Sequence, residues 1–311
     1  MARRPSFNEP RKDHALTSLT LVIPSVARPE SLRRALVAAQ THRTDIDEII
    51  VVAREGDSAT LEVAHDMGVR VALVRVAGLA QAMRAGAEAA RTDVVAFSDD
   101  DAAVRDDWGT RLKALYVDSS IGGAGGRDLV DRPDQLAPPR SQSMVGAITP
   151  LGKVVGSHHL ATGKVRDVEH LKGVNCSFRR EAFLRHDFQP QLHGEGAQAR
   201  NEFVASLSVR EAGLRLRFDP DLIVDHYPES RGGADQRGVG TQKMYEAAYN
   251  ERLGIRFYKP SKSVVNALFL ILVGYPHAPG LARLARGAKI SEVAAVGRAI
   301  VDAQRAVRPE N

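Results

Sequence analysis

At 311 residues and 43% hydrophobic, the chain can bury a full core, as one large domain or two smaller ones. Its net charge of +5 is uneven: from Arg252 onward ten Lys or Arg face three acids, a balance of +7 that leaves −2 for residues 1–251. Aromatics at 5% argue against a nucleic-acid surface of interleaved basic and aromatic side chains, and a single cysteine, Cys176, excludes an internal disulfide framework or a cysteine-based zinc site. The opening MARRPSFNEPRKDHA is basic with no apolar stretch behind it, so residues 1–17 are expected to be a flexible tail rather than a signal peptide. A reducing compartment fits, and the expected location is cytoplasmic.

Strand-like and helix-like segments alternate through the first hundred residues. LTLVI (19–23) is β-rich and stops at Pro24, and PESLRRALVAAQ (29–40) places Leu32, Ala35, Leu36 and Ala39 on one helical face behind an N-terminal proline. Residues 48–53 read as the next strand, 58–67 as a helix stopped by Gly68, 69–74 as a third strand and 79–90 as a further helix. Val94, Val95, Ala96 and Phe97 form the fourth strand. This alternation predicts an α/β fold with a parallel sheet and right-handed crossovers, in which ligands bind at the carboxyl ends of the strands.

Three consecutive carboxylates, Asp99, Asp100 and Asp101, follow that fourth strand. Hard oxygen ligands clustered at a strand end can hold a divalent cation against a phosphate-bearing substrate, although three acids in a row are also an ordinary solvated loop. Two nucleotide folds are excluded. The first β–α turn, Pro24 to Pro29, has no glycine where a dinucleotide fingerprint needs it, and no P-loop occurs. The glycines at 122, 123, 125 and 126 precede a strand-like Leu129 and Val130 rather than a helix, so they read as flexible or closely packed backbone and not as a phosphate cradle.

In order and spacing, these segments resemble the inverting family 2 glycosyltransferases. The likeness runs from about Leu19 to Arg231: the VIP strand with the Arg28–Pro29 turn and SLRRAL helix, EIIVV, GLAQAMRAGAEAARTDVVAFSDDDA, KGVNCSFRREAF, Glu202 with REAGLRLRFDP, and VDHYPESR. The resemblance implies the nucleotide-diphospho-sugar transferase (GT-A) fold, a mostly parallel central sheet with helices on both faces, and metal-dependent transfer of a sugar from a nucleotide-diphosphate donor to an acceptor hydroxyl. A uridine diphosphate sugar is favoured by family frequency.

Roles follow from the resemblance, residue by residue. Asp101 and Asp99, with His226 of the DHYP segment, would hold Mn²⁺ or Mg²⁺ against the leaving diphosphate, Asp99 also reaching the ribose. Arg231 could pair with a phosphate oxygen. Pro24, Ser25 and Arg28 would line the donor pocket with Asp100, and Asp57, with Glu55 behind it, would hold the base. An Arg-Asn pair frequent in the family becomes Met83 and Arg84 here, which makes Arg84 a donor contact. Glu202 stands at the position of the general base that takes the acceptor proton, although many members carry paired acids where this chain has Asn201 and Glu202; Glu195 and a merely helix-capping Glu202 are the alternatives. On the acceptor side, Gly173 and Asn175 would lie below the donor sugar, while Trp108 suits either a sugar face or core packing. Residues 128–140, rich in proline, read as a loop.

The expected organisation is a GT-A domain over 18–250 and a basic, partly apolar helical extension over 251–311. VVNALFLILVGY (264–275) is too short to span a bilayer, which needs about 20 apolar residues, and suits an anionic membrane surface, a core or a homodimer contact equally. The acceptor would be a saccharide or a lipid-linked one, and the enzyme would be peripheral at the inner membrane face. A sugar nucleotidyltransferase wants a glycine-rich first loop that is missing here, and a non-catalytic binding or assembly module would have no need of intact Asp99, Asp101, Glu202 and His226.

Overall fold

Parity along the first strands sorts their side chains into two cores, one on each face of a sheet. The structure is a computed structural model and describes residues 17–130, 144–228 and 240–308. β1 (Leu19–Ser25) sends Leu19, Leu21 and Ile23 to one core and Val22 to the other. After α1 (Pro29–Thr41), β2 (Glu48–Arg54) repeats the division with Ile49 and Val51 against Ile50 and Val52. α2 (Ser58–Asp66), β3 (Arg70–Val74) and α3 (Leu79–Ala89) follow, and β4 (Val94–Phe97) divides in the same way. Strands buried on both faces need helices on both, which is why these runs are apolar throughout rather than alternating. α1 covers the first face with Leu32, Ala35 and Leu36, and α3 the second with Ala80, Met83 and Ala87.

The second half completes the sheet. In chain order come β5 (Ala102–Val104), α4 (Trp108–Leu115), β6 (Ile121–Val130), the paired β7 (Ala147–Ile148) and β8 (Val154–Val155), β9 (Arg166–Val168), β10 (Cys176–Arg179), α5 (Arg180–Leu184), α6 (Asn201–Glu211) and β11 (Arg215–His226). The strand order is β3-β2-β1-β4-β10-β6-β11-β5, with β9 also on β11. β1, β2, β3 and β4 run parallel, as do β6 and β11, while β10 joins the two groups antiparallel to both β4 and β6. The ends of β1 and β4 are therefore adjacent, and β5 returns antiparallel to β11 with Ala102 opposite His226. This brings the aspartate cluster to the histidine across about 125 residues of chain.

The glycines of β6 admit close backbone. A Cβ on Gly126 would lie 1.8 Å from the Leu222 carbonyl oxygen, and one on Gly125 would lie 2.6 Å from that of Asn175. They sit within the strand rather than ahead of it, and Asp128 belongs to that strand rather than to a loop. Residues 131–143 and 229–239, and with them Arg231, lie outside the described residues, as do residues 1–16.

α7 (Thr241–Tyr258) runs without a break through 250–251, where the extension was expected to begin. α8 (Ser263–Leu272), the paired β12 (Gly274–Tyr275) and β13 (Ala278–Pro279), and α9 (Ile290–Arg305) follow. Met244, Leu253, Val296 and Ala299 share one core with Val22 and Phe97. Glu251, buried on α7, pairs with Arg200 (Nη2 to Oε2, 3.0 Å) and accepts hydrogen bonds from Asn266 Nδ2 (3.0 Å) and the Tyr275 hydroxyl (3.2 Å). The helices after residue 250 thus pack into the same core as the sheet.

Candidate metal centre and cleft

Four strand ends converge on the carboxylates. Asp99 to Asp101 turn between β4 and β5, and the turn is closed by hydrogen bonds from Ala102 N to the Asp99 carbonyl (3.1 Å) and from Tyr227 N to that of Asp101 (2.8 Å). Asp100 is wholly buried, points to the first β–α turn, and accepts from Ser25 Oγ at 2.8 Å. Arg28 bridges its neighbours, pairing through Nη2 with Asp100 and through Nη1 with Asp101 at 3.0 Å. Burial pushes the Asp100 carboxyl up to about 7, against the downward pull of Arg28 and Ser25.

One carboxylate oxygen each from Asp99 and Asp101 and one ring nitrogen of His226 lie within 4.8 Å of one another. His226 Nε2 is 3.3 Å from Asp101 Oδ1, and Nδ1 is 3.4 Å from Asp128 Oδ2 on β6. Asp128 is held in turn by Lys172, whose Nζ lies 2.5 Å from both carboxylate oxygens. A carboxylate on the far nitrogen of an imidazole fixes the ring and leaves the near nitrogen to face a cation, the usual surround of a ligating histidine. Two carboxylates and an oriented imidazole form a donor set suited to Mn²⁺ and acceptable to Mg²⁺, so these residues fit a divalent cation.

Without a cation, burial disfavours a charged His226, yet Asp101 and Asp128 on its two nitrogens raise it to about 9. Burial likewise works against the Asp128 carboxylate, and His226 with Lys172 more than offsets this, holding it well below the usual carboxylate range.

Beside this centre lies a cleft of about 750 Å³, open mouth included, within the range of small-ligand sites. Pro24, Ser25 and Arg28 form one wall and Asp99 and Asp100 its floor, while Val52, Val74 and Leu79 make an apolar end suited to a flat ring. The opposite wall is the segment bearing Glu195. It is tied to the start of α3, where Leu79 N donates to the Gly196 carbonyl (3.0 Å) and Ala80 N to Gln198 Oε1 (2.9 Å). Gly78, at φ +128°, allows this approach, since a Cβ there would fall 2.6 Å from Gln198.

Glu202 sits in the first turn of α6, and its carboxyl carbon lies 3.6 Å from where a Cβ on Gly173 would stand. Burial drives the Cys176 thiol well above its ordinary range, and the charges of Glu202 and Asp99 add to this. Cys176 Sγ also donates to the Gly173 carbonyl at 3.4 Å, which sets the thiol beside the Gly173 and Glu202 pair.

Other expected donor and acceptor residues stand elsewhere. Asp57 caps α2 and accepts from Thr60 N (3.2 Å), Thr60 Oγ1 (2.6 Å) and Ala27 N (2.7 Å), so it braces the first turn from behind and does not line the cleft. Glu55 pairs with Arg75 at 2.8 Å. Arg84 faces away, to Glu88 at 2.9 Å and Asp187 at 3.7 Å. Trp108 is buried and donates from Nε1 to Asn175 Oδ1 (3.1 Å), while Asn175 Nδ2 donates to the Arg127 and Leu222 carbonyls, each at 2.9 Å. Neither offers a face to a ligand; together they lock α4 to the strands beneath the site.

Arg54, Asp128 and Lys172 escaped the sequence reading. Arg54 lines the cleft at the carboxyl end of β2, a position that strand topology alone could have flagged. Asp128 and Lys172 carry no local signal, because their role exists only once β6 lies beside β11.

Residues 20–186, more than half of the chain, match the model of the family described as glycosyl transferase family 2. No curated protein matches the chain in sequence. Among solved structures it is similar to GalNAc-T7 with UDP, GalNAc and Mn²⁺, at TM-score 0.61 and 18% identity over 94% of this chain and 55% of that one. It is similar also to S. aureus TarS (residues 1–349) with UDP-GlcNAc, at TM-score 0.62 and 12% identity over 92% of this chain and 80% of that one. The mannosyltransferase PcManGT from Pyrobaculum calidifontis, with GDP-Man and Mn²⁺, gives TM-score 0.52 and 16% identity over 94% and 88%. This chain spans about half the length of the GalNAc-T7 chain, and at these identities the likeness is one of fold, the GT-A fold.

Proposed function

The chain belongs to glycosyl transferase family 2, and from that premise we propose that it transfers a glycosyl group from a nucleoside-diphosphate sugar to an acceptor hydroxyl, with inversion at the anomeric carbon. The observation that carries the reading is the Asp99, Asp101 and His226 cluster opening beside the cleft. Asp99, Asp101 and His226 would hold a divalent cation there, which would supply positive charge against the leaving diphosphate. Around it, Val52, Val74 and Leu79 receive the base and Arg54 stands at the same end of the cleft. Arg28, already paired with two carboxylates, is within reach of a phosphate entering the cleft.

Glu202 is proposed as the general base, taking the acceptor proton as its oxygen attacks opposite the leaving group. In support, its carboxyl stands beside Gly173, and its charge and that of Asp99 both act on the Cys176 thiol. Glu195, on the cleft wall, is the second candidate. Uridine diphosphate sugars are the first donors to try, because two of the neighbours are described with UDP or UDP-GlcNAc, and GDP-mannose the next. A saccharide or a lipid-linked saccharide is the acceptor class.

The experiment is release of nucleoside diphosphate from UDP- and GDP-sugars with added Mn²⁺ or Mg²⁺, comparing the wild type with Asp101→Asn. Metal-dependent release that the substitution abolishes supports the reading. Equal release by both proteins, or release indifferent to chelator, overturns the metal assignment; no binding of any nucleotide diphosphate or its sugar in a thermal-shift screen overturns the donor class.

A further inference from the structure

α8 is anchored on one side and bare on the other. Asn266 and Leu270 are its two buried residues, and Asn266 Nδ2 donates to the Gly152 carbonyl (2.9 Å) as well as to Glu251. Arg252 fixes the N-terminal end by donating from Nη1 to the Ser263 carbonyl (2.8 Å) and to Asn266 Oδ1 (3.1 Å). The outer side shows Val264 at 72% exposure, Leu268 at 50% and Leu272 at 52%. Leu281 and Leu284, on the 3₁₀ segment that follows β13 and contacts α8, are exposed as well, as is Ile290 at the start of α9. Scattered exposed apolar residues need no explanation, but a helix face carrying several together does.

The charge around this face is predominantly basic, although Glu292 accepts from Lys289 N at 2.9 Å and Lys259 is paired with Glu169. Between Leu253 and Ser291 there are six Lys or Arg and no Asp or Glu. Arg286 and Lys289 are exposed, and Lys262 and Arg283 are half-buried at the margin. A second copy of the chain, docked face to face, would set one net-basic rim against another, and like charges directly opposed are unfavourable. An anionic surface complements both the apolar centre and the basic rim. α8 has ten residues, about 15 Å of helix, against a hydrocarbon core of about 30 Å. Among the described residues no helix is long and apolar enough to cross a membrane.

We infer that the α8 face and its basic rim dock the protein on an anionic lipid surface, with α8 lying in the interfacial plane. The inference is independent of the transferase reading, since it uses residues outside the cleft, and neither stands or falls with the other.

Co-sedimentation tests it with the full chain, using vesicles of phosphatidylglycerol and phosphatidylcholine against vesicles of phosphatidylcholine alone. The wild type is expected to bind the anionic vesicles and to be released as NaCl rises from about 0.05 to 0.5 M. Leu268→Glu with Leu272→Glu should abolish binding, and Arg286→Glu with Lys289→Glu should lower it by roughly tenfold or more. All four positions are exposed, so the fold should survive; if one double variant fails to fold, the other and the salt response of the wild type still decide. No sedimentation of the wild type, equal sedimentation on both vesicle types, or a wild-type dimer in gel filtration that Leu268→Glu with Leu272→Glu makes monomeric would each overturn the inference.

Discussion

Asp128 and His226 face each other across the parallel pair β6 and β11, with Asp128 Oδ2 3.4 Å from His226 Nδ1, and this contact turns the other ring nitrogen toward Asp101. Both side chains are buried, so neither can turn to solvent at no cost. The imidazole is therefore oriented by a residue that stands outside the Asp99, Asp101 and His226 cluster.

Asp128→Asn is expected to keep the fold but weaken Mn²⁺ binding by about 10- to 100-fold, the usual effect of removing the carboxylate behind a ligating histidine. Activity should return at high Mn²⁺, because the ligands remain and only their orientation suffers. A metal titration of nucleoside diphosphate release, read as the half-saturating Mn²⁺ concentration, decides; an unchanged value would show that His226 needs no such support.

Glu202→Gln should leave donor affinity within a few-fold and lower transfer by about 10² or more. Binding of a nucleoside diphosphate by calorimetry and transfer under saturating donor separate the two effects. A variant near the wild-type rate would move the role to Glu195, which lines the cleft wall.

Much of this was legible in the chain. The first four strands and three helices fall within a residue or two of where periodicity sets them, because each carries its own caps, breakers and apolar faces. The aspartates announce themselves by adjacency. His226 came only through the family resemblance, since nothing local distinguishes a histidine that ends a strand. Asp57 and Arg84 were expected at the donor, yet an Asp before a helix is also an N-cap, and here Thr60 and Ala27 claim its carboxylate. Trp108 and Asn175 were ambiguous for the same reason: a residue type suited to sugars is equally suited to a buried hydrogen bond, and only the strand register decides between them. The continuity of α7 through 250–251 was hidden because the charge balance changes there while the helix does not.

Asn175→Ala should destabilise the protein by about 1–3 kcal/mol, since it strands the Trp108 indole N–H and two carbonyls that are buried with it. Urea unfolding measures the loss. Donor KM should change little if the side chain is a strut; a rise in KM with stability intact would return Asn175 to the ligand's side.

The last prediction concerns acid. His158 and His170 are buried edge to face, 5.3 Å between ring centroids, and each also meets a phenylalanine, Phe218 and Phe203 respectively. Burial lowers His158 to about 3 and His170 to about 4, so both are neutral in the folded protein well below the pH at which an unfolded histidine takes a proton. With folded values depressed, the unfolded chain binds more protons as pH falls below about 6.5, and stability must fall with it, by up to about 1.4 kcal/mol per pH unit for each ring. His226 works in the opposite sense in metal-free protein: its raised value gives a contribution fully present below 6.5 and lost as pH rises through about 9, so it is constant in the acid window. Between pH 6.5 and 5 Asp100, raised to about 7, is protonated in the folded chain and offsets about one ring, while His277, lowered to about 4, adds a further one. Most other carboxylates remain ionised, so the buried histidines set the sign of the slope. Chemical unfolding at half-unit pH steps in chelator, with His158→Gln as comparison, measures it. A flat profile across that window, or one the substitution leaves unchanged, would mean that the pair accepts its proton without opening the core.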